Sequence, residues 1–151
     1  MNGTEELTGS FTTTFLVEQK PEAVYQAITR VADWWQGEIT GHSENLNDEF
    51  EYRMPDIHYS KQKVVEAVPG KRLVWLVTKS NLSSFSDKQE WNGTKIIFEI
   101  SRVGDKTGVR FTHLGLVRRF QCYGDCSGAW DALVNQSLFS LITTGKGKKV
   151  F

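Results

Sequence analysis

The sequence predicts an α+β domain in which a curved antiparallel β-sheet of about six to seven strands wraps around a long C-terminal α-helix. Three observations carry this. An alternating β-branched and aromatic segment opens the chain at Phe11–Val17, and a series of strand-like segments separated by short turns fills its middle. From Asp125 to Thr144 apolar residues then recur at helical spacing.

In the first segment Phe11, Thr13, Phe15 and Val17 alternate with Thr12, Thr14 and Leu16, the period of a strand. The period changes after it. Pro21 suits the first position of a helix, Glu22 complements the helix dipole, and Val24, Ile28, Val31 and Trp35 follow at helical spacing, which predicts a short helix kinked near Thr29-Arg30. Gly37–Gly41 returns to strand, and in Glu49–Arg53 strict alternation puts Phe50 and Tyr52 on one face against charges on the other. Further strands are expected at Lys61–Val68, closed by the Pro69-Gly70 turn, at Arg72–Thr78, at Thr94–Ser101 after an Asn92-Gly93 turn, and at Thr107–Leu114. Short connections make these an antiparallel meander.

Cys126, Ala129, Trp130, Leu133, Val134, Leu138, Leu141 and Ile142 form one continuous stripe of an amphipathic helix, with Asp125 or Ser127 as its cap and Gly145 as its end. A frayed basic tail, Lys146–Lys149, is expected beyond it. Such a helix buries its stripe only against the concave face of the sheet, so the chain is expected to be a single two-layer domain over 1–151, ordered from about residue 10 to about 145.

Composition narrows the function classes. The 18 Lys and Arg balance 18 Asp and Glu, so no overall positive field favours nucleic acid. No run approaches the roughly 18 apolar residues of a membrane span. The polar, acidic start, Met1–Glu6, lacks the basic and apolar regions of a secretory signal, and a cytoplasmic protein is expected. Cys122 and Cys126 are too few for a zinc ligand set and badly spaced for a disulfide, so they read as free thiols, and no metal is expected. No phosphate-binding glycine loop, dinucleotide fingerprint or nucleophile elbow is present, and no cofactor is expected. Aromatic residues make up 12% of the chain, five of them Trp, which favours either a large core or a site for an apolar ligand.

Several motifs in fixed order carry a resemblance. They are Trp34-Trp35-Gln36-Gly37-Glu38-Ile39, Tyr59-Ser60-Lys61-Gln62-Lys63, Val68-Pro69-Gly70-Lys71-Arg72-Leu73-Val74-Trp75, Phe111-Thr112-His113-Leu114-Gly115-Leu116, and the helix with Trp130 that ends Leu141-Ile142-Thr143-Thr144-Gly145. Over about residues 10 to 147 the chain resembles the SRPBCC (START-like) superfamily, in its bacterial branch related to the C-terminal domain of the activator of the heat-shock-protein-90 ATPase. The resemblance implies a helix-grip fold, with two short helices after strand one and a cavity between sheet and C-terminal helix. Members use that cavity for lipids, steroids, polyketides or aromatic compounds, and some carry out cyclase or hydrolase chemistry in it. The co-chaperone has an additional N-terminal domain, whereas only about ten residues precede the first strand here, so the resemblance implies a shared shape rather than chaperone activation.

The inward faces of the strands and of the long helix give the candidate ligand-binding residues: Phe50 and Tyr52, Trp75, Phe98, Phe111 and His113, with Trp130 and Val134 on the helix. Trp34, Trp35 and His58 are placed at the mouth. For each of them plain core packing is the competing reading. His113 shares a face with Val109 and Phe111, so its imidazole must find a partner inside, as a bonded core residue, a ligand anchor or a general base. Glu66 and Gln62 share one strand face, but Val64 and Val65 pull that strand opposite ways. If the face is inward, Glu66 and His113 are the candidates for an acid/base pair.

The expected function is therefore binding of a small apolar, aromatic or lipid-like molecule in the interior. A cyclase, dehydratase or hydrolase using a cavity histidine is the first alternative. Recognition of a protein partner such as a chaperone is the second.

Overall fold

The computed structural model describes residues 10–35, 37–54, 58–82, 92–115 and 123–149, and the side chains of 58, 82 and 123–126 lie outside that description. Seven strands, β1 (Ser10–Val17), β2 (Glu38–Gly41), β3 (Glu49–Met54), β4 (His58–Val68), β5 (Arg72–Leu82), β6 (Lys95–Val103) and β7 (Lys106–Leu114), form one sheet. The order across it is β1-β7-β6-β5-β4-β3-β2, and every neighbouring pair is antiparallel. β2 to β7 make a meander of adjacent strands, as short connections favour. β1 closes the sheet by pairing with β7, Phe11 opposite His113 and Phe15 opposite Val109.

The hairpin β4–β5 carries two irregularities. The register shifts once between Lys61 and Gln62 and again between Val64 and Glu66. The extra residue is Thr78 on β5 in the first case and Val65 on β4 in the second, since Lys61 pairs with Lys79 but Gln62 with Val77, and Val64 with Trp75 but Glu66 with Val74. An extra residue bends its strand and increases the local twist, so both shifts curl the sheet about its inner face.

The second shift resolves the conflict between Val64 and Val65. Ser60, Gln62 and Val64 are buried on the inner face, whereas Glu66 is half-exposed and bonded to Arg72, which also holds Glu99. Gln62 and Glu66 do not share a face, because the bulge between them reverses the alternation.

Between β1 and β2 the chain forms α1 (Pro21–Thr29) and α2 (Val31–Trp34), broken at Arg30, whose φ of −89° and ψ of 66° leave the helical region. Pro21 stands at the start of α1 with Glu22 in its first turn. Val24, Ile28, Val31 and Trp34 are fully buried.

The C-terminal helix runs as α3 (Tyr123–Ala132), a π-helical segment Leu133–Leu138, and α4 (Phe139–Thr144). It begins ahead of Asp125 and Ser127, so neither caps it; both lie inside the helix. Its end is as expected, with Gly145 left-handed at φ 87° and its N–H bonded to the Leu141 carbonyl. Leu133-Val134, Ser137-Leu138 and Leu141-Ile142 are buried pairs spaced by four residues. A regular α-helix turns about 40° too far over each four-residue step, so its stripe would drift off the sheet. The wider i→i+5 turns of the π segment rotate it back. The stripe stays continuous because the helix is not regular.

Beyond Gly145 the tail packs rather than frays. Lys148 N–H donates to Ser137 Oγ at 3.1 Å, Ser140 Oγ donates to the Lys146 carbonyl at 2.7 Å, and Gly147 lies so close to the Asp33 carbonyl and Trp34 Cα that a Cβ there would collide with them. Ser137 Oγ also donates to the Trp34 carbonyl at 2.7 Å, which ties helix, tail and α2 together.

Candidate functional site

Between the sheet and the C-terminal helix lies a cluster of aromatic rings, every one of them buried: Trp34, Trp35, Phe50, Tyr52, Trp75, Phe98, Phe111 and Trp130. Alternation along β3, β5, β6 and β7 sends the sheet members inward, and the helix contributes Trp130 with Val134 one turn on. These eight and Val134 fall in one buried cluster, and Trp34 and Trp35, expected at the mouth, lie inside it, because α2 and the residue after it pack against rings of β3, β5, β6 and the long helix. The rings meet mostly edge to face, Trp75 with Phe50 and with Phe98 at 5.0 Å and Phe98 with Phe111 at 5.3 Å, while Phe111 and Trp130 are tilted at 4.7 Å. This geometry sets the positive ring edge against the negative face.

Trp35 is the centre of the cluster. Its ring lies 4.9 Å from Tyr52, 5.4 Å from Trp130, 5.9 Å from Trp75 and 6.0 Å from Phe50. It is carried by neither the sheet nor the long helix. It follows α2 in extended conformation, and Gly37, two residues on, adopts φ 111° where a Cβ would press on the Tyr52 ring and the Arg53 carbonyl.

One end of the inner face is polar. Ser60 and Gln62 on β4, Ser80 opposite Ser60 on β5, His113 on β7 and Thr94 just before β6 are buried there. Gln62 Nε2 donates to Ser60 Oγ at 2.6 Å, and Ser80 Oγ donates to Asn92 Oδ1 at 2.8 Å. Trp130 Nε1 donates to His113 Nδ1 at 3.0 Å, and His113 Nε2 lies 2.8 Å from Thr94 Oγ1. An indole N–H only donates, so Nδ1 is an acceptor, and the ring is the neutral tautomer with its proton on Nε2 toward Thr94. Sequence reasoning singled out His113 but not Ser60, Ser80 or Thr94. The signal for Thr94 was present, two residues before Ile96 on the same alternating face.

Three buried polar atoms in this interior have no hydrogen-bond partner among the described residues: Trp35 Nε1, Trp75 Nε1 and Gln62 Oε1. The other two described indoles are satisfied, Trp34 by the Ile28 carbonyl at 3.2 Å and Trp130 by His113. Burial also acts on Tyr52, whose hydroxyl is pushed up to about 12 by desolvation and stays protonated.

Glu66 is not brought to His113. Its carboxylate sits on the outer face with Arg72 Nε at 3.1 Å, so these two residues form no acid/base pair. His58 opens β4, paired with Leu82, and its side chain lies outside the described residues, as do Cys122 and the side chain of Cys126. The charged pairs Lys61–Glu49, Arg72–Glu66 and Arg72–Glu99 are all on the exposed side of the sheet. Among the described residues no group of three or more His, Cys, Asp or Glu could hold a metal ion, and no helix is long and apolar enough to cross a membrane. A separate surface cleft of about 330 Å³ lies at the end of β1, between Leu16, Gln19, Lys106 and Phe139.

No family model matches the chain, and no curated protein matches it. Solved structures do. The Aha1 dimer from Colwellia psychrerythraea, determined in solution, is 24% identical with a TM-score of 0.73, over 91% of this chain and 98% of that one. DynU16, from the dynemicin biosynthetic locus, is 15% identical with a TM-score of 0.67, over 93% of this chain and 49% of its own. CalU16 from Micromonospora echinospora is 14% identical with a TM-score of 0.63, over 90% of this chain and 77% of its own. At these identities the likeness is one of fold, and it spans nearly the whole chain: the protein has the helix-grip fold, shared with Aha1 from Colwellia psychrerythraea, DynU16 and CalU16.

Proposed function

We propose that the protein binds a small apolar or aromatic molecule between the curved sheet and the C-terminal helix. The observation that carries this reading is the set of three unpartnered polar atoms, Trp35 Nε1, Trp75 Nε1 and Gln62 Oε1, within an aromatic interior. Each such atom costs about 1 to 3 kcal/mol in a closed core, where indole edges against ring faces are weak substitutes for an acceptor. A bound molecule with matching groups recovers that cost. Burying about 300 Å² of apolar ligand surface adds roughly 7 kcal/mol before ordering costs. DynU16, with the same fold, comes from the dynemicin biosynthetic locus, in keeping with a small-molecule role.

The test is native mass spectrometry of protein purified from its own host, followed by organic extraction. A retained small molecule supports the reading. An empty protein whose tryptophan fluorescence ignores lipids, sterols and aromatic compounds would sink it.

A second reading, association with another protein chain, rests on Leu16 and Val103. Both are 49% exposed, and their methyl groups stand together over Gly108 on the outer face. The Colwellia relative is described as a dimer, and self-association is the form this reading takes. Sedimentation that stays monomeric at all concentrations, unchanged by Leu16→Lys, would exclude it.

A further inference from the structure

The environment of Trp35 says what the interior would accept, provided that the interior is the binding site proposed above. The Trp35 indole is the one ring at the centre of the cluster that comes from a connecting segment, and it is walled by Phe50, Tyr52, Trp75 and Trp130 at 4.9 to 6.0 Å. Its own N–H reaches no acceptor. Of the described indoles, Trp34 and Trp130 have this atom satisfied, and Trp35 and Trp75 leave it open.

Two further open groups lie on the sheet, one of them on Trp75, whose ring is 5.9 Å from that of Trp35. Gln62 pairs across the β4–β5 ladder with Val77, and Val64 with Trp75, so Gln62 and Trp75 are diagonal neighbours on the same inner face. One presents a free carbonyl oxygen and the other a free N–H, and both residues are fully buried. Among the described residues the walls hold no formal charge: they are aromatic rings, one amide, and a tyrosine kept protonated by burial.

We infer that Trp35 stands in the place of the ligand, and that the ligand is an uncharged, flat, bicyclic molecule with an acceptor for the Trp75 N–H and a donor for the Gln62 carbonyl. The size follows from the indole it replaces and the flatness from the ring walls. Neutrality follows from desolvation, because a bare charge among these rings would find no counter-charge on them. Bicyclic lactams and hydroxy-carbonyl aromatics are the chemical classes that meet all three conditions.

The probes are oxindole, a lactam, and indane, the hydrocarbon of the same skeleton, titrated by calorimetry into Trp35→Ala. Trp35→Leu is carried in parallel, because it keeps more of the packing if the alanine variant does not fold. Oxindole is expected to bind the variants more tightly than the wild type, and at least about tenfold more tightly than indane. Gln62→Leu in the same background should erase that preference. If indane binds as tightly as oxindole, the polar match is wrong while the binding site stands. If neither probe binds a variant shown to be folded, the site itself falls with the inference.

Discussion

The indole of Trp130 on the C-terminal helix donates to Nδ1 of His113 on β7 at 3.0 Å, and so fixes which imidazole nitrogen carries the proton. The bond fastens the helix to the sheet at the polar end of the interior, where Thr94 takes up the other ring nitrogen. Nuclear magnetic resonance of His113 is expected to show Nδ1 as the unprotonated nitrogen. Trp130→Phe keeps most of the ring contacts but removes this donor from a buried acceptor, and should cost about 1 to 3 kcal/mol in urea unfolding.

Trp35 touches more rings than its position in a connection between elements would suggest. Trp35→Ala should lower stability by about 3 to 5 kcal/mol, the usual cost of removing a large buried aromatic residue. Trp35→Phe should cost clearly less, since it keeps a ring and removes an unpartnered N–H. Equal losses in the two variants would mean that the ring contributes little.

Tyr52 sets an alkaline limit. Its hydroxyl, pushed from 10.0 to about 12, favours the neutral form in the folded state, so the stabilisation is complete below pH 10 and is lost as pH rises toward 12. The loss across that interval should be about 2 to 3 kcal/mol. Phenolate absorbance should show a tyrosine with its midpoint near 12, and the alkaline loss should be smaller in Tyr52→Phe.

Ser137 joins three segments through one hydroxyl. Ser137→Ala leaves the Trp34 carbonyl and the Lys148 N–H without this partner and should cost about 1 to 2 kcal/mol. Hydrogen exchange at Lys148 should speed up in this variant, and limited proteolysis should begin at the tail. Gly147→Ala, whose Cβ meets the Asp33 carbonyl, should give the same pattern.

Much of this architecture is legible along the chain because alternation is a local property. Ile96, Phe98 and Ile100, like Val109, Phe111 and His113, point inward as their spacing requires. The break near Thr29-Arg30 and the end at Gly145 were equally readable from local residues. The face of Glu66 was not, because the register shift that turns it outward depends on Val74 and Trp75 of the partner strand. Nor were the partners of His113, which lie 19 residues before it and 17 after it and meet it only through the fold. The packed tail escaped notice for the same reason: Lys146–Lys149 is polar and glycine-containing, and only the nearness of Asp33 and Ser137 holds it.

The two bulges of the β4–β5 hairpin have opposite effects on pairing, since one inserts into β5 and the other into β4. Ser60 remains opposite Ser80 on one side of them and Val68 opposite Arg72 on the other, as in an uninterrupted ladder. Curvature and alignment are therefore separable in this hairpin. Deleting Val65 and Thr78 together would keep both ends in step and flatten the middle, and a flatter sheet would have no hollow side in which to seat the helix and the rings beneath it.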